Sequence, residues 1–206
     1  MSPLLAEFTG TAMLIILGDG VVANVVLNKT KGNNAGWIVI TFGWAMAVFT
    51  GVYAATHLGS AGHLNPAVTI ALAVFGDFDK SLIGPYIGGQ FAGAFAGAVV
   101  VWLNYKNHFD ETKDADAQLA VFSSGPAIRN IPFNFITEFI ASFVLIFGVL
   151  VMPKADVNLG TLNALPVALL VLGIGLSLGG ATGYAINPAR DLGPRIAHFI
   201  LPIPNK

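Results

Sequence analysis

The chain contains no cysteine. Disulfides and thiolate metal sites are therefore excluded, and cysteine usage carries no information about redox compartment. Charge is also scarce: Asp, Glu, Lys and Arg together make up 10% of the 206 residues, where a soluble domain carries roughly 25%. A soluble protein of this size could not cover its surface with so few charges. The net charge of -1 leaves no basic footprint for nucleic acid. No nucleophile, base and orienter set is visible, and neither is a metal cluster or a phosphate loop, so the sequence does not point to an enzyme or to a bound cofactor. The basic n-region of a cleaved signal peptide is missing too, and the first apolar run continues to about Leu27. It reads as a retained membrane span.

What the chain has in quantity is apolar residues, 55% of the total, and 24 glycines, a composition suited to close helix packing in lipid. A requirement of about 20 apolar residues per crossing gives five full spans: roughly Pro3 to Leu27, Gly36 to Thr56, Ser81 to Tyr105, Pro132 to Met152 and Leu159 to Gly180. Two shorter helical stretches, about Asn65 to Phe75 and Asn187 to Ile200, are each too short to cross. At 1.5 Å per residue the first covers about 15 Å, half of a hydrocarbon core about 30 Å thick.

Both half-spans open on the same tripeptide, Asn65-Pro66-Ala67 and Asn187-Pro188-Ala189. The first spans are also alike, with Ala6-Glu7-Phe8-Thr9-Gly10 matching Thr137-Glu138-Phe139-Ile140-Ala141. The chain thus divides into a first repeat over 1–105, a connecting loop over 106–131 and a second repeat over 132–206, whose last full span is absent. A repeat of three full spans reverses the entry side of the next, so the expected fold is an all-α membrane protein with inverted repeats, each holding one re-entrant half-helix. This reading predicts that the natural chain continues past Lys206 with a further apolar stretch of about 20 residues. The charges of the connecting loop, Asp110-Glu111-Thr112-Lys113-Asp114, read as keeping it solvated. Basic residues fix no orientation, because Lys29, Lys31, Lys106, Lys113 and Arg129 on one side and Lys80 and Lys154 on the other are mixed with acids.

Asn is a favoured N-cap, and Pro at the first helical position loses an N–H that had no partner. A lone Asn-Pro reads as a cap and nothing more. Two at equivalent repeat positions direct two positive helix ends and two side-chain amides at the bilayer centre. An oxygen accepting from both Asn65 and Asn187 turns its own hydrogens away from that point, which interrupts a proton wire. Arg190 follows directly, and a guanidinium at membrane depth costs at least about 2.5 kcal/mol unless it faces water or partners. It is expected to line an aqueous path, repel cations and donate to hydroxylated solutes; snorkelling to a headgroup is the alternative.

Gly62-His63-Leu64-Asn65-Pro66-Ala67-Val68-Thr69 together with Gly183-Tyr184-Ala185-Ile186-Asn187-Pro188-Ala189-Arg190-Asp191 resembles the major intrinsic protein family, the aquaporins and glycerol facilitators. Asp191 after Arg190 resembles the glycerol-conducting branch. The resemblance implies a selectivity constriction of Trp44, Gly175, Tyr184 and Arg190, with aromatics against the carbon chain of glycerol and Arg190 facing its hydroxyls. Gly175, where water-selective members usually have His, implies a wider opening, and the hydroxyl of Tyr184 implies a more polar slot. By the same resemblance His63 lines the inner pore, and Glu7 and Glu138 support the loops, a proton relay being their alternative role. Asp19 receives no assignment. The implied function is passive conduction of glycerol, water and similar small neutral solutes across the cell membrane, by a homotetramer with one pore per protomer. A water-selective channel and a secondary transporter, which also uses broken helices, are the competing readings.

Overall fold

The computed structural model describes residues 1–152 and 157–206; Lys154, one of the basic residues weighed for orientation, lies outside them. Eight α-helices are present among the described residues: α1 (Pro3–Val26), α2 (Trp37–His57), α3 (Pro66–Phe75), α4 (Ile83–Glu111), α5 (Ala115–Ala120), α6 (Ile131–Val151), α7 (Leu165–Leu178) and α8 (Pro188–Ile200). Short 3-10 turns lead into α4 and α7. With those turns included, α1, α2, α4, α6 and α7 are long and apolar enough to cross a membrane. The fold class is the one expected, all-helical with paired half-helices.

The helices pack by letting backbones meet. α1 lies against α4 and α2, α4 against α8, and α2 against α7. A Cβ on Gly89 or Gly93 of α4 would stand 2.3 Å from the carbonyl oxygens of Leu4 and Phe8 on α1. Only glycine permits that approach, which replaces the missing hydrophobic drive between helices in lipid with close van der Waals contact. α6 packs on α7 and α3 and turns Phe133, Phe135, Phe139, Phe143 and Phe147 outward. Exposed aromatics of this kind are expected where lipid or another protein is the neighbour.

α4 does not end with the apolar run. It continues through Lys106 to Glu111, because Lys106 and Asp110 pair one helical turn apart and such residues carry a helix into water at little cost. The polar segment after it is partly ordered. Asp114 caps α5 by accepting from Asp116 and Ala117, and Gln118, fully buried, donates to the carbonyls of Phe109 and Thr112.

Candidate pore and constriction

Asn65 and Asn187 are the N-caps of α3 and α8, and their side-chain oxygens are occupied in that role. Asn65 Oδ1 accepts from Ala67 N at 2.9 Å, and Asn187 Oδ1 accepts from Ala189 N and Arg190 N at 3.0 and 3.1 Å. Each amide nitrogen then reaches across to the opposite repeat. Asn65 Nδ2 donates to the carbonyl of Ile186 at 2.9 Å, and Asn187 Nδ2 donates to the carbonyl of Leu64 at 2.8 Å. An amide NH2 carries two donors, so one hydrogen of each is used in the cross-bond and one is left. Both residues line a cavity of about 240 Å³, and the two half-helices meet at their positive ends.

The cross-bonds need carbonyls turned the wrong way for an ordinary loop. Leu64 and Ile186, the residues before each Asn, have φ of 51° and 42°, in the left-handed region that side-chain-bearing residues rarely adopt and β-branched ones least of all. Such a residue costs of order 1–3 kcal/mol and persists only where its surroundings over-determine it. Two carboxylates, one buried and one partly buried, supply that constraint. Glu7, fully buried in α1, accepts from Leu64 N at 2.7 Å, His63 N at 3.0 Å, Ser60 Oγ at 2.8 Å and Gln90 Nε2 at 2.8 Å. Glu138 of α6 accepts from Thr182 Oγ1 at 2.6 Å, Ala185 N at 3.2 Å and Ile186 N at 3.3 Å. His63 lines the cavity, with Nδ1 3.1 Å from Thr69 Oγ1 and its ring tilted against Phe78 and Tyr86.

Of the four residues proposed for the constriction, Trp44, Tyr184 and Arg190 line this cavity and Gly175 packs against Tyr184. The Arg190 guanidinium carbon sits 4.3 Å over the Trp44 ring, an attraction worth about 2 kcal/mol when desolvated. Trp44 is held from behind by Gly18 of α1, where a Cβ would lie 2.3 Å from the indole. Tyr184 lines the cavity, but its hydroxyl is buried and has no partner among the described residues. A Cβ on Gly175 would stand 2.9 Å from Tyr184 Cζ and 3.1 Å from its Oη. The hydroxyl end of Tyr184 therefore lies in the space that a side chain at 175 would occupy. Trp37 fixes the same corner, donating from Nε1 to the Gly175 carbonyl at 3.0 Å and meeting Tyr184 edge-on.

Asp191 does not face the cavity. Its Oδ1 accepts from Ser124 N and Ser124 Oγ, both at 2.8 Å, and Arg195 Nη2 lies 3.0 Å from its Oδ2. Arg195 also donates to the Ser124 carbonyl at 3.0 Å. The connecting loop is thus tied to the segment that carries Arg190, a contact that its solvated composition did not announce. Gly18, Trp37, Thr41 and Ser124 escaped the sequence reading because their signal is a close approach between distant segments.

Two half-helices meeting end to end inside a helical bundle, beside a narrow cavity guarded by an arginine, define a membrane channel of the inverted-repeat type. The model of the family described as Major intrinsic protein matches residues 1–201. The chain belongs to that family. It is 56% identical to glycerol uptake facilitator protein 3 of Lactiplantibacillus plantarum over 203 residues, covering 98% of this chain and 84% of that protein. It is 52% identical to the glycerol uptake facilitator protein of Streptococcus pneumoniae over 206 residues, covering 100% and 87%. Among solved structures, the aquaglyceroporin from Plasmodium falciparum superposes with a TM-score of 0.84 at 32% identity, covering 96% of this chain and 80% of that one.

Proposed function

We propose that the protein is a passive channel for glycerol, water and other small uncharged solutes, and that it excludes protons and ions. The observation that carries the reading is the reciprocal pair of bonds from Asn65 and Asn187 to the opposite loops. It leaves two amide donors fixed at a point where two positive helix ends meet. A hydroxyl passing that point is held as an acceptor and cannot relay a proton, while any cation meets a positive potential. Further out, the rings of Trp44 and Tyr184 offer an apolar face to a carbon chain and Arg190 offers donors to its hydroxyls. Glu7 and Glu138 act as loop supports, since their oxygens are spent on loop donors.

The glycerol uptake facilitator relatives support the substrate. The working site is the plasma membrane, with a homotetramer carrying one pore per protomer. The apolar stripe of Ile38, Phe42 and Met46 along the outer face of α2 supports contact with lipid or with neighbouring copies. Stopped-flow light scattering of proteoliposomes in a glycerol gradient tests the reading. Glycerol entry well above that of empty liposomes is expected, and entry no faster than theirs refutes it.

A further inference from the structure

Asp191 follows Arg190 in the chain, yet their side chains do not bond. Arg190 Nη1 is buried with no hydrogen-bond partner among the described residues, and Asp191 Oδ1 is 3.7 Å away from it. A charge-assisted bond of this kind closes at about 2.7–2.9 Å. The gap has its cause in the donors already on the carboxylate. Oδ1 accepts from Ser124 N and Ser124 Oγ, both at 2.8 Å, and from Arg195 Nη2 at 3.3 Å, while Oδ2 accepts from Arg195 Nη2 at 3.0 Å. A carboxylate oxygen offers about two lone-pair sites, so Oδ1 has none left for Arg190.

Ser124 is held in place by contacts that do not involve that carboxylate. Two residues before it, Phe122 is fully buried and stacks on Phe109 at 5.4 Å. Three residues after it, Ala127 N donates to the Ala181 carbonyl at 3.0 Å. A Cβ on Gly183 would stand 2.9 Å from Ser124 Cβ, so the loop lies directly against the segment that leads to Tyr184 and Asn187. Resting on the channel reading above, we propose that Ser124 and Arg195 are positioning residues of the constriction. They engage the oxygens of Asp191 and hold its carboxylate off Arg190. The guanidinium is thereby left over the Trp44 ring, 4.3 Å from its centre, with no hydrogen-bonded counter-charge and with its donors free for solute hydroxyls. Neither Ser124 nor Arg195 is among the residues that line the cavity, so both act through Asp191.

The arrangement accounts for an acidic residue placed directly after Arg190 without silencing it. Closing a unit-charge pair from 3.7 Å to about 2.8 Å, at an effective dielectric of about 20, favours the closed pair by about tenfold. A carboxylate released by Ser124 and Arg195 therefore moves onto Arg190. The guanidinium then spends donors on the pair and is drawn away from Trp44, and a solute hydroxyl finds fewer donors in the slot.

Stopped-flow light scattering of proteoliposomes at matched protein density tests the assignment, with S124A/R195M as the variant that frees Asp191 and S124A/D191N/R195M as its rescue. Met keeps most of the apolar stem of Arg195 and removes its donors. Glycerol permeability is expected to fall by about tenfold in S124A/R195M. Adding D191N is expected to bring it back to within about twofold of the unsubstituted protein, because an amide has no charge to pair with Arg190 and the loss belongs to the coupling between the two. A clasp that served only to hold the fold would be broken in both variants alike, and D191N could not rescue it. No loss in S124A/R195M, or a gain of less than about threefold on adding D191N, overturns the proposal; absence of glycerol flux in the unsubstituted protein overturns the channel reading instead. Should S124A/R195M not assemble, R195M and D191N/R195M decide by the same comparison. With Ser124 still on Oδ1, R195M is expected to lose about threefold and D191N/R195M to regain it. Equal glycerol permeability of those two variants also overturns the proposal.

Discussion

Gly18→Ala is the sharpest probe of how the constriction is built, because the added atom never enters the pore. The new Cβ would lie 2.3, 2.5 and 2.6 Å from three atoms of the Trp44 six-membered ring, where carbon–carbon contact is comfortable at about 3.5–4.0 Å. The indole must therefore move by about 1 Å or more, away from α1 and toward the cavity it lines. Overpacking of this kind typically costs about 1–3 kcal/mol. If that energy appears as a barrier in the slot, solute flux falls by about 5- to 150-fold. We expect glycerol permeability to drop by at least about fivefold and water permeability by less, since water needs less width. Gly20→Ala is the control on the same helix, because nothing lies within 4 Å of its added Cβ, and alanine is the better helix former by about 1 kcal/mol. Stopped-flow light scattering with matched protein density reads both variants. Unchanged glycerol flux in Gly18→Ala, or an equal loss in Gly20→Ala, refutes the idea that Gly18 sets the position of Trp44.

Gly175→His is expected to evict the hydroxyl end of Tyr184 and lower glycerol flux more than water flux; an equal fall in both speaks against the proposed filter. Tyr184→Phe removes a buried hydroxyl that has no partner among the described residues, so flux should stay within about twofold and the melting temperature should hold or rise, because an unsatisfied buried polar group carries a penalty. A loss of glycerol flux in that variant means the hydroxyl works in the slot after all. Glu7→Ala strands four donors, on Ser60, His63, Leu64 and Gln90, and is expected to cost about 3–5 kcal/mol, read as a large drop in melting temperature in detergent. A melt within a degree or two of the unsubstituted protein sinks the loop-support role. Arg190→Ala is expected to admit protons, seen with a pH-sensitive dye inside liposomes; an unchanged leak counts against its part in the barrier.

The half-helices were legible in the sequence because an Asn-Pro cap is a local event: Asn65 and Asn187 need only the next two or three residues to start a helix. The spans were legible because lipid demands long apolar runs, and the end of α4 was not, because the residues beyond Tyr105 obey helix pairing in water instead. The constriction was harder. Trp44 and Gly175 are ordinary apolar-span residues and Tyr184 an ordinary loop residue, which only a family resemblance singles out, and the way Tyr184 folds into the gap at Gly175 depends on Trp37 and Thr41 from another helix. The left-handed backbone at Leu64 and Ile186 left no sequence sign, since neither is a residue that favours it. Composition marked the connecting loop as solvated, and a single serine ties it to Asp191.

The central claim is that one path passes glycerol and stops protons. Proteoliposomes holding the protein and an internal pH-sensitive dye, exposed to a glycerol gradient and then to a pH step with valinomycin present, test both halves on the same vesicles. The account predicts glycerol entry far above that of empty liposomes together with an internal pH that follows the step no faster than theirs. Glycerol entry equal to empty liposomes, or uptake that saturates and depends on an ion gradient, contradicts it.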